Sequence, residues 1–166
     1  MRILGIDPGL RLTGYGLVEV RAGAVEPTLV EGGVVRLNEK ASVESRLAEL
    51  YAELTGLMER LKPSRVAVEK LYAHYAHPTT AILMGHARGV ILLTAEQRGL
   101  TVDPMGATEV KKSLTGNGHA SKQQVGAAVA SQCGLAEAPS PADVSDAIAI
   151  ALCAGRRLAF EKLAGS

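Results

Sequence analysis

The sequence predicts an α/β fold: a mixed five-stranded sheet flanked by helices. Three observations carry this. Three β-rich runs stand near the N-terminus at spacings too short for helical crossovers, so they form an antiparallel meander. Beyond them, helical periodicity alternates with short apolar runs that end in or near acids, the pattern of strands reached by crossovers and hence parallel to a neighbour. Finally, 47% of the 166 residues are apolar but only 3% are aromatic, so the core is built of Val, Leu, Ile and Ala, as in layered α/β domains.

The meander comprises Arg2 to Asp7, Gly14 to Val20 and Thr28 to Leu37, punctuated by Pro8-Gly9 and Gly23. Val43, Leu47, Leu50, Leu54, Leu57, Met58 and Leu61 then recur at steps of three and four with glutamates between them. They mark an amphipathic helix that ends near Lys62-Pro63. Arg65 to Leu71 reads as a buried strand, Thr79 to Arg98 as a helix stopped at Gly99, and Leu100 to Asp103 as a short strand. Thr108 to Leu114 and Ser121 to Cys133 read as helices around the loop Thr115-Gly116-Asn117-Gly118-His119, with Gly134 as a stop. In Ser140-Pro141-Ala142-Asp143, an N-cap, a proline at the first helical position and an acid at the third start the last helix, which runs to about Leu158. The expected organisation is one domain over residues 1–158 and a frayed tail over 159–166.

Composition excludes several classes of function. A chain of this length buries roughly 68–70% of its unfolded surface, so a core forms without disulfides. Cys133 and Cys153 lie in no metal-binding pattern and read as buried small residues in a reducing compartment. Eighteen basic residues against 17 acidic ones leave a formal charge of +1, so any nucleic-acid surface has to be local. So few aromatics exclude a base-stacking platform. Met1 to Asp7 is no signal peptide, and Thr79 to Ala95 contains His86 and Arg88 and is too short for a membrane span; the expected location is the cytoplasm.

Four acids stand where a core would not choose them. Asp7 ends the first strand ahead of Pro8-Gly9; it serves either an Asx turn or a site at the strand's end. Glu69 follows Arg-Val-Ala-Val on a central strand, where an unpaired carboxylate costs several kcal/mol, and Lys70 points to the opposite face. Asp143 in the first helical turn favours the helix dipole. Asp146 shares its face, just ahead of the apolar run Ala147 to Leu152, in a stretch from Gly134 to Ala154 that has three acids and no Lys or Arg. If the four meet at one sheet edge, their repulsion calls for a cation. An oxygen-only ligand set selects a hard ion, Mg²⁺ or Mn²⁺, and two such ions about 3.5–4 Å apart can drive phosphodiester cleavage.

Ile3-Leu4-Gly5-Ile6-Asp7-Pro8-Gly9 with Thr13-Gly14-Tyr15-Gly16, Val68-Glu69, and Asp143-Val144-Ser145-Asp146-Ala147 resemble the RuvC family of Holliday-junction resolvases, from the first strand to about Leu158. The resemblance implies an RNase H-like nuclease domain. It also implies a homodimer that makes paired cuts in a four-way DNA junction during recombination and repair, leaving 5′-phosphate and 3′-hydroxyl ends, and a branch-migration motor as partner. Asp7, Glu69, Asp143 and Asp146 match the family's catalytic, metal-binding acids; some relatives carry His at the position of Asp143. Lys111 and Lys122 fall on two lysines that the family uses at the DNA and the active site. In the first turn after Ser121, Lys122 could stabilise charge on the scissile phosphate, and Lys111-Lys112 could hold backbone phosphates, although each also fits a solvated helix lysine.

Tyr72 stands where the family has an aromatic that stacks on a base near the junction, and also fits partial burial at a strand end. The ring-rich stretch 73–77 that follows could contact DNA, while His74 and His77 alone complete no metal site. Ala81, Gly85 and Gly89 recur every four residues on the second helix, which the family uses in its dimer; packing on its own sheet is the alternative. Two other readings remain: a nuclease resembling the YqgF group that acts on RNA, and a junction-binding protein without catalysis.

Overall fold

The computed structural model describes residues 1–71 and 77–165. Strands β1 (Arg2–Asp7), β2 (Leu12–Glu19) and β3 (Thr28–Arg36) are followed by helix α1 (Val43–Leu61), β4 (Arg65–Glu69), α2 (Pro78–Gln97) and β5 (Thr101–Met105). Helices α3 (Ala107–Thr115), α4 (Lys122–Cys133) and α5 (Ala142–Ala164) complete the chain. The sheet order is β3-β2-β1-β4-β5. β1 and β2, and β2 and β3, pair antiparallel, while β4 pairs parallel with β1 and β5 parallel with β4. The meander and both crossover strands therefore stand as the spacing predicts.

Alternation along the strands divides the core in two. Leu4, Ile6, Leu17, Val66 and Val68 pack with α1 and α2. Ile3, Val18, Ala67 and Met105 pack with α3, α4 and α5 on the opposite face. From Val144 to Gly155 every residue except Asp146 is buried or belongs to α5's buried surface, as an all-round apolar helix requires.

Helix α5 lies close on the sheet because the strands beneath it lack side chains. A Cβ on Gly14 would collide with the carbonyl oxygen of Asp143, and one on Gly5 would stand 2.7 Å from the backbone nitrogen of Ala151. Glycine is required at these places for approach, not for its dihedral freedom.

Helix boundaries follow the expected stops. Ser42 caps α1 by accepting from the Ser45 amide, and Lys62 closes it in the left-handed region. Ser121 and Gln124 form a capping box on α4, and Gly134 ends that helix at φ +67°. Two expectations at α5 are corrected. Pro141 is the N-cap residue after a cis Ser140–Pro141 bond and does not occupy the first helical turn. The frayed tail expected from residue 159 is instead helical through Ala164, with Ala159 buried against the core. Ala, Phe, Glu, Lys, Leu and Ala carry no helix breaker, so propagation continues until Gly165.

Candidate active site

The parallel pairing of β1 with β4 sets Ile6 opposite Val68, so the next residues, Asp7 and Glu69, leave adjacent strands at the same edge. Their parity is that of Ile3, Gly5 and Ala67, which places them on the α5 side of the sheet. There the first turns of α5 bring Asp143 and Asp146 down over β1 and β2, with Gly14 beneath the Asp143 carbonyl. The four acids that the sequence separates by up to 139 positions thus line one cleft of 690 Å³. Lys111 from α3 and Lys122 from the start of α4 line it too.

Electrostatics in the cleft are dominated by uncompensated acid. Burial, followed by the charges of Asp146, Glu69 and Asp143, pushes the Asp7 carboxyl up to about 8, with Lys122 opposing. Glu69 is raised by burial and then by Asp146, against the pull of Lys122 and Lys111. Lys122 is itself held above its ordinary value, foremost by Asp146, whose Oδ2 stands 3.3 Å from its Nζ. That is the quartet's one salt bridge among the described residues, and Lys122 is largely exposed. The carboxylates of Asp7, Glu69 and Asp143 take no hydrogen bond or ion pair from a side chain of the described residues. No three carboxylate, His or Cys groups among those residues are gathered tightly enough to enclose an ion. The acids face a common space without closing it.

Other predicted residues divide. Lys112 is exposed and stands outside the cleft lining, unlike its neighbour Lys111. Tyr72 and His74 lie outside the described residues. On α2, Gly85 and Gly89 are exposed and aligned with exposed Ile82 and Leu93, so this stripe does not pack on its own sheet; Ala81 is half-buried.

Two arginines at the site escape sequence reasoning. Arg88 of α2 donates from Nε to the Glu69 carbonyl at 3.0 Å and so holds the end of β4. Arg46 of α1 lines the cleft and donates from Nη1 to the carbonyl of Leu10, in the turn that follows Asp7, at 3.1 Å. The only local signal for Arg46 is a cation in the first turn of a helix, where it opposes the dipole.

The family described as "Crossover junction endodeoxyribonuclease RuvC" matches residues 3–154. The chain belongs to this family. A crossover junction endodeoxyribonuclease RuvC of Rhodopirellula baltica is 44% identical over 151 residues, covering 91% of this chain and 84% of the relative. One of Heliobacterium modesticaldum is 41% identical over 160 residues, covering 96% and 97%. Among solved structures, Thermus thermophilus RuvC in complex with Holliday junction substrate superposes with a TM-score of 0.87 at 35% identity, over 97% of this chain and 96% of that one. The yeast mitochondrial Holliday junction resolvase Ydc2, at 17% identity and a TM-score of 0.68, shares the fold. The five-stranded mixed sheet with its flanking helices is accordingly the RNase H-like fold of RuvC.

Proposed function

We propose that this RuvC-family chain is a Holliday-junction resolvase, an endonuclease that hydrolyses phosphodiesters in the two opposed strands of a four-way DNA junction. The observation that carries this reading is the convergence of Asp7, Glu69, Asp143 and Asp146 on one cleft with Lys122 beside them.

The donor set fits hard divalent ions: all its ligands are oxygens, and the acids outnumber the nearby lysines. Asp7, Glu69, Asp143 and Asp146 would hold Mg²⁺ or Mn²⁺, two ions per site. Bound there, such ions would supply a water of lowered pKa and positive charge for the leaving oxygen. Water attacks phosphorus and the bond to the 3′ oxygen breaks, leaving a 3′-hydroxyl and a 5′-phosphate.

Lys122 acts as the cation beside the scissile phosphate, once released from Asp146, and stabilises its developing charge. Lys111 holds a neighbouring phosphate, and Lys112 reaches the backbone farther out. Tyr72 stacks on a base near the crossover.

The exposed stripe of Ile82, Gly85, Gly89 and Leu93 supports a homodimer through α2, with two sites related by a two-fold axis to match a two-fold junction. Among the described residues no helix is long and apolar enough to cross a membrane. The remaining assignments are a single nuclease domain that takes in α5 to its end at Ala164, a cytoplasmic location and a branch-migration motor as partner.

The deciding experiment compares a mobile four-way junction with linear duplex and RNA, with and without Mg²⁺ or Mn²⁺. Paired, metal-dependent nicks in the junction are expected. Equal cutting of duplex, cutting of RNA alone, or binding without cutting would each overturn the reading.

A further inference from the structure

Arg46 is placed as a functional cation would be. Its side chain crosses from α1 to the turn after Asp7 and lines the cleft. Among the described residues it makes one side-chain hydrogen bond, to the Leu10 carbonyl, and no ion pair. Its Nε is buried without an acceptor, and none of the described residues holds its Nη2. Arg60 forks onto Glu31, Arg65 onto Asp103, and Arg156 pairs with Glu26; Arg2 and Arg88, like Arg46, donate to a carbonyl, but among the described residues Arg46 is the arginine left with a buried nitrogen that has no acceptor. A half-buried guanidinium with a buried nitrogen left unmatched costs free energy until an acceptor reaches it. Here the cleft offers carboxylates in number, yet none reaches it. An anion supplied from outside resolves the mismatch.

Location decides which anion. Lys111 and Lys122 rise from α3 and α4 on one side of the sheet edge, whereas Arg46 comes from α1, which packs on the other face. A strand crossing the acids would meet the lysines on one flank and Arg46 on the other.

We infer that Arg46 seats a backbone phosphate of the cut strand on the α1 wall of the cleft, opposite the two lysines, while its bond to Leu10 ties that phosphate to the turn after Asp7. The inference rests on the junction-nuclease reading above for the identity of the anion. The guanidinium fork suits a phosphate's paired oxygens better than an ammonium does.

The test uses the full chain, metal-free, with four-way junctions in which single phosphates around the cut site are replaced by neutral methylphosphonates. For the wild type, neutralising one phosphate on the α1 side should weaken binding roughly tenfold, and Arg46→Gln should lose about as much on the unmodified junction. In Arg46→Gln, that same methylphosphonate should cost nothing further, and the slope of log affinity against log salt should fall by about 1. Penalties that persist at every phosphate in Arg46→Gln would overturn the inference and leave Arg46 as a brace for the Leu10 turn.

If Arg46→Gln does not fold, Arg46→Lys takes its place. It should keep the salt slope but shrink the penalty at the same phosphate, and an unchanged penalty pattern overturns the inference. A wild type that shows no preference for junction over duplex would sink the junction reading alone, because the same scan on duplex still decides the role of Arg46.

Discussion

The two ends of β4 treat acid in opposite ways. At its start, Arg65 forks onto Asp103 of β5 with contacts of 2.7 and 2.8 Å, and Arg157 of α5 stands 3.7 Å from the same carboxylate. Asp103 is 7% exposed and surrounded by cations. At the other end, Glu69 joins Asp7, Asp143 and Asp146, and among the described residues only the exposed Lys122 forms an ion pair with any of these four carboxylates. One sheet thus builds a satisfied ion pair and, one strand length away, an unsatisfied cluster. A chain able to neutralise Asp103 so fully could have done the same for Asp7. That it does not marks the second end as a place for something the polypeptide does not contain.

The contrast breaks first at cleavage. Asp146→Asn and Asp7→Asn should bind the junction with near wild-type affinity yet cut it at least about 10²-fold more slowly, a loss comparable to removing one stabiliser of transition-state charge. Gel-shift and single-turnover nicking assays measure the two quantities, and full activity in either variant would remove that acid from the site.

The structural end should respond in stability instead. Arg65→Met strands a buried carboxylate, which typically costs about 3–5 kcal/mol, here reduced because Arg157 remains. Urea unfolding should show the loss, and the cutting rate per folded molecule should hold.

A smaller effect separates the ends by pH. The Asp7 carboxyl ionises near 3.8 in the unfolded chain and at about 8 in the folded one. Between those values the folded state holds the extra proton, so raising the pH withdraws stability. In EDTA, the melting temperature of Asp7→Asn relative to wild type should therefore rise as pH climbs from about 4 towards about 8. Divalent metal should diminish that advantage. A difference that stays flat with pH would mean that Asp7 is already compensated.

The least drastic change concerns assembly. Gly89 has open space around it, so Gly89→Leu should leave the fold intact and shift the protein to monomers in sedimentation. An unchanged dimer would move the contact off this stripe.

Much of this was legible in the sequence where physics is local. Periodicity placed α1, and Gly99 and Gly134 marked helix ends. Glu69 and Asp146 stood out because each interrupts an apolar context, whereas Asp7 and Asp143 also fitted an Asx turn and a helix N-terminus. What stayed hidden depends on distant partners. Arg46 and Arg88 look like ordinary helix cations until the fold sets them against Leu10 and Glu69. Asp103 read as the end of a short strand, whereas β5 runs on to Met105 and the aspartate faces Arg65, 38 residues earlier. The motif around Gly14 could be matched to a family, but its physical reason, a carbonyl of α5 lying where a Cβ would be, belongs to tertiary structure. Pro141 misled because proline suits both the N-cap and the first turn, and the cis bond before it has no local signature.

That contact beneath α5 has a wider consequence. Because Asp143 and Asp146 ride on a rigid rod seated directly on bare backbone, the gap between them and Asp7 is gauged by the thickness of a glycine. A single methyl group at position 14 would act as a shim, tilting two of the acids together while leaving the other two in place. Such a protein could keep its shape and its grip on DNA and still be out of calibration for chemistry.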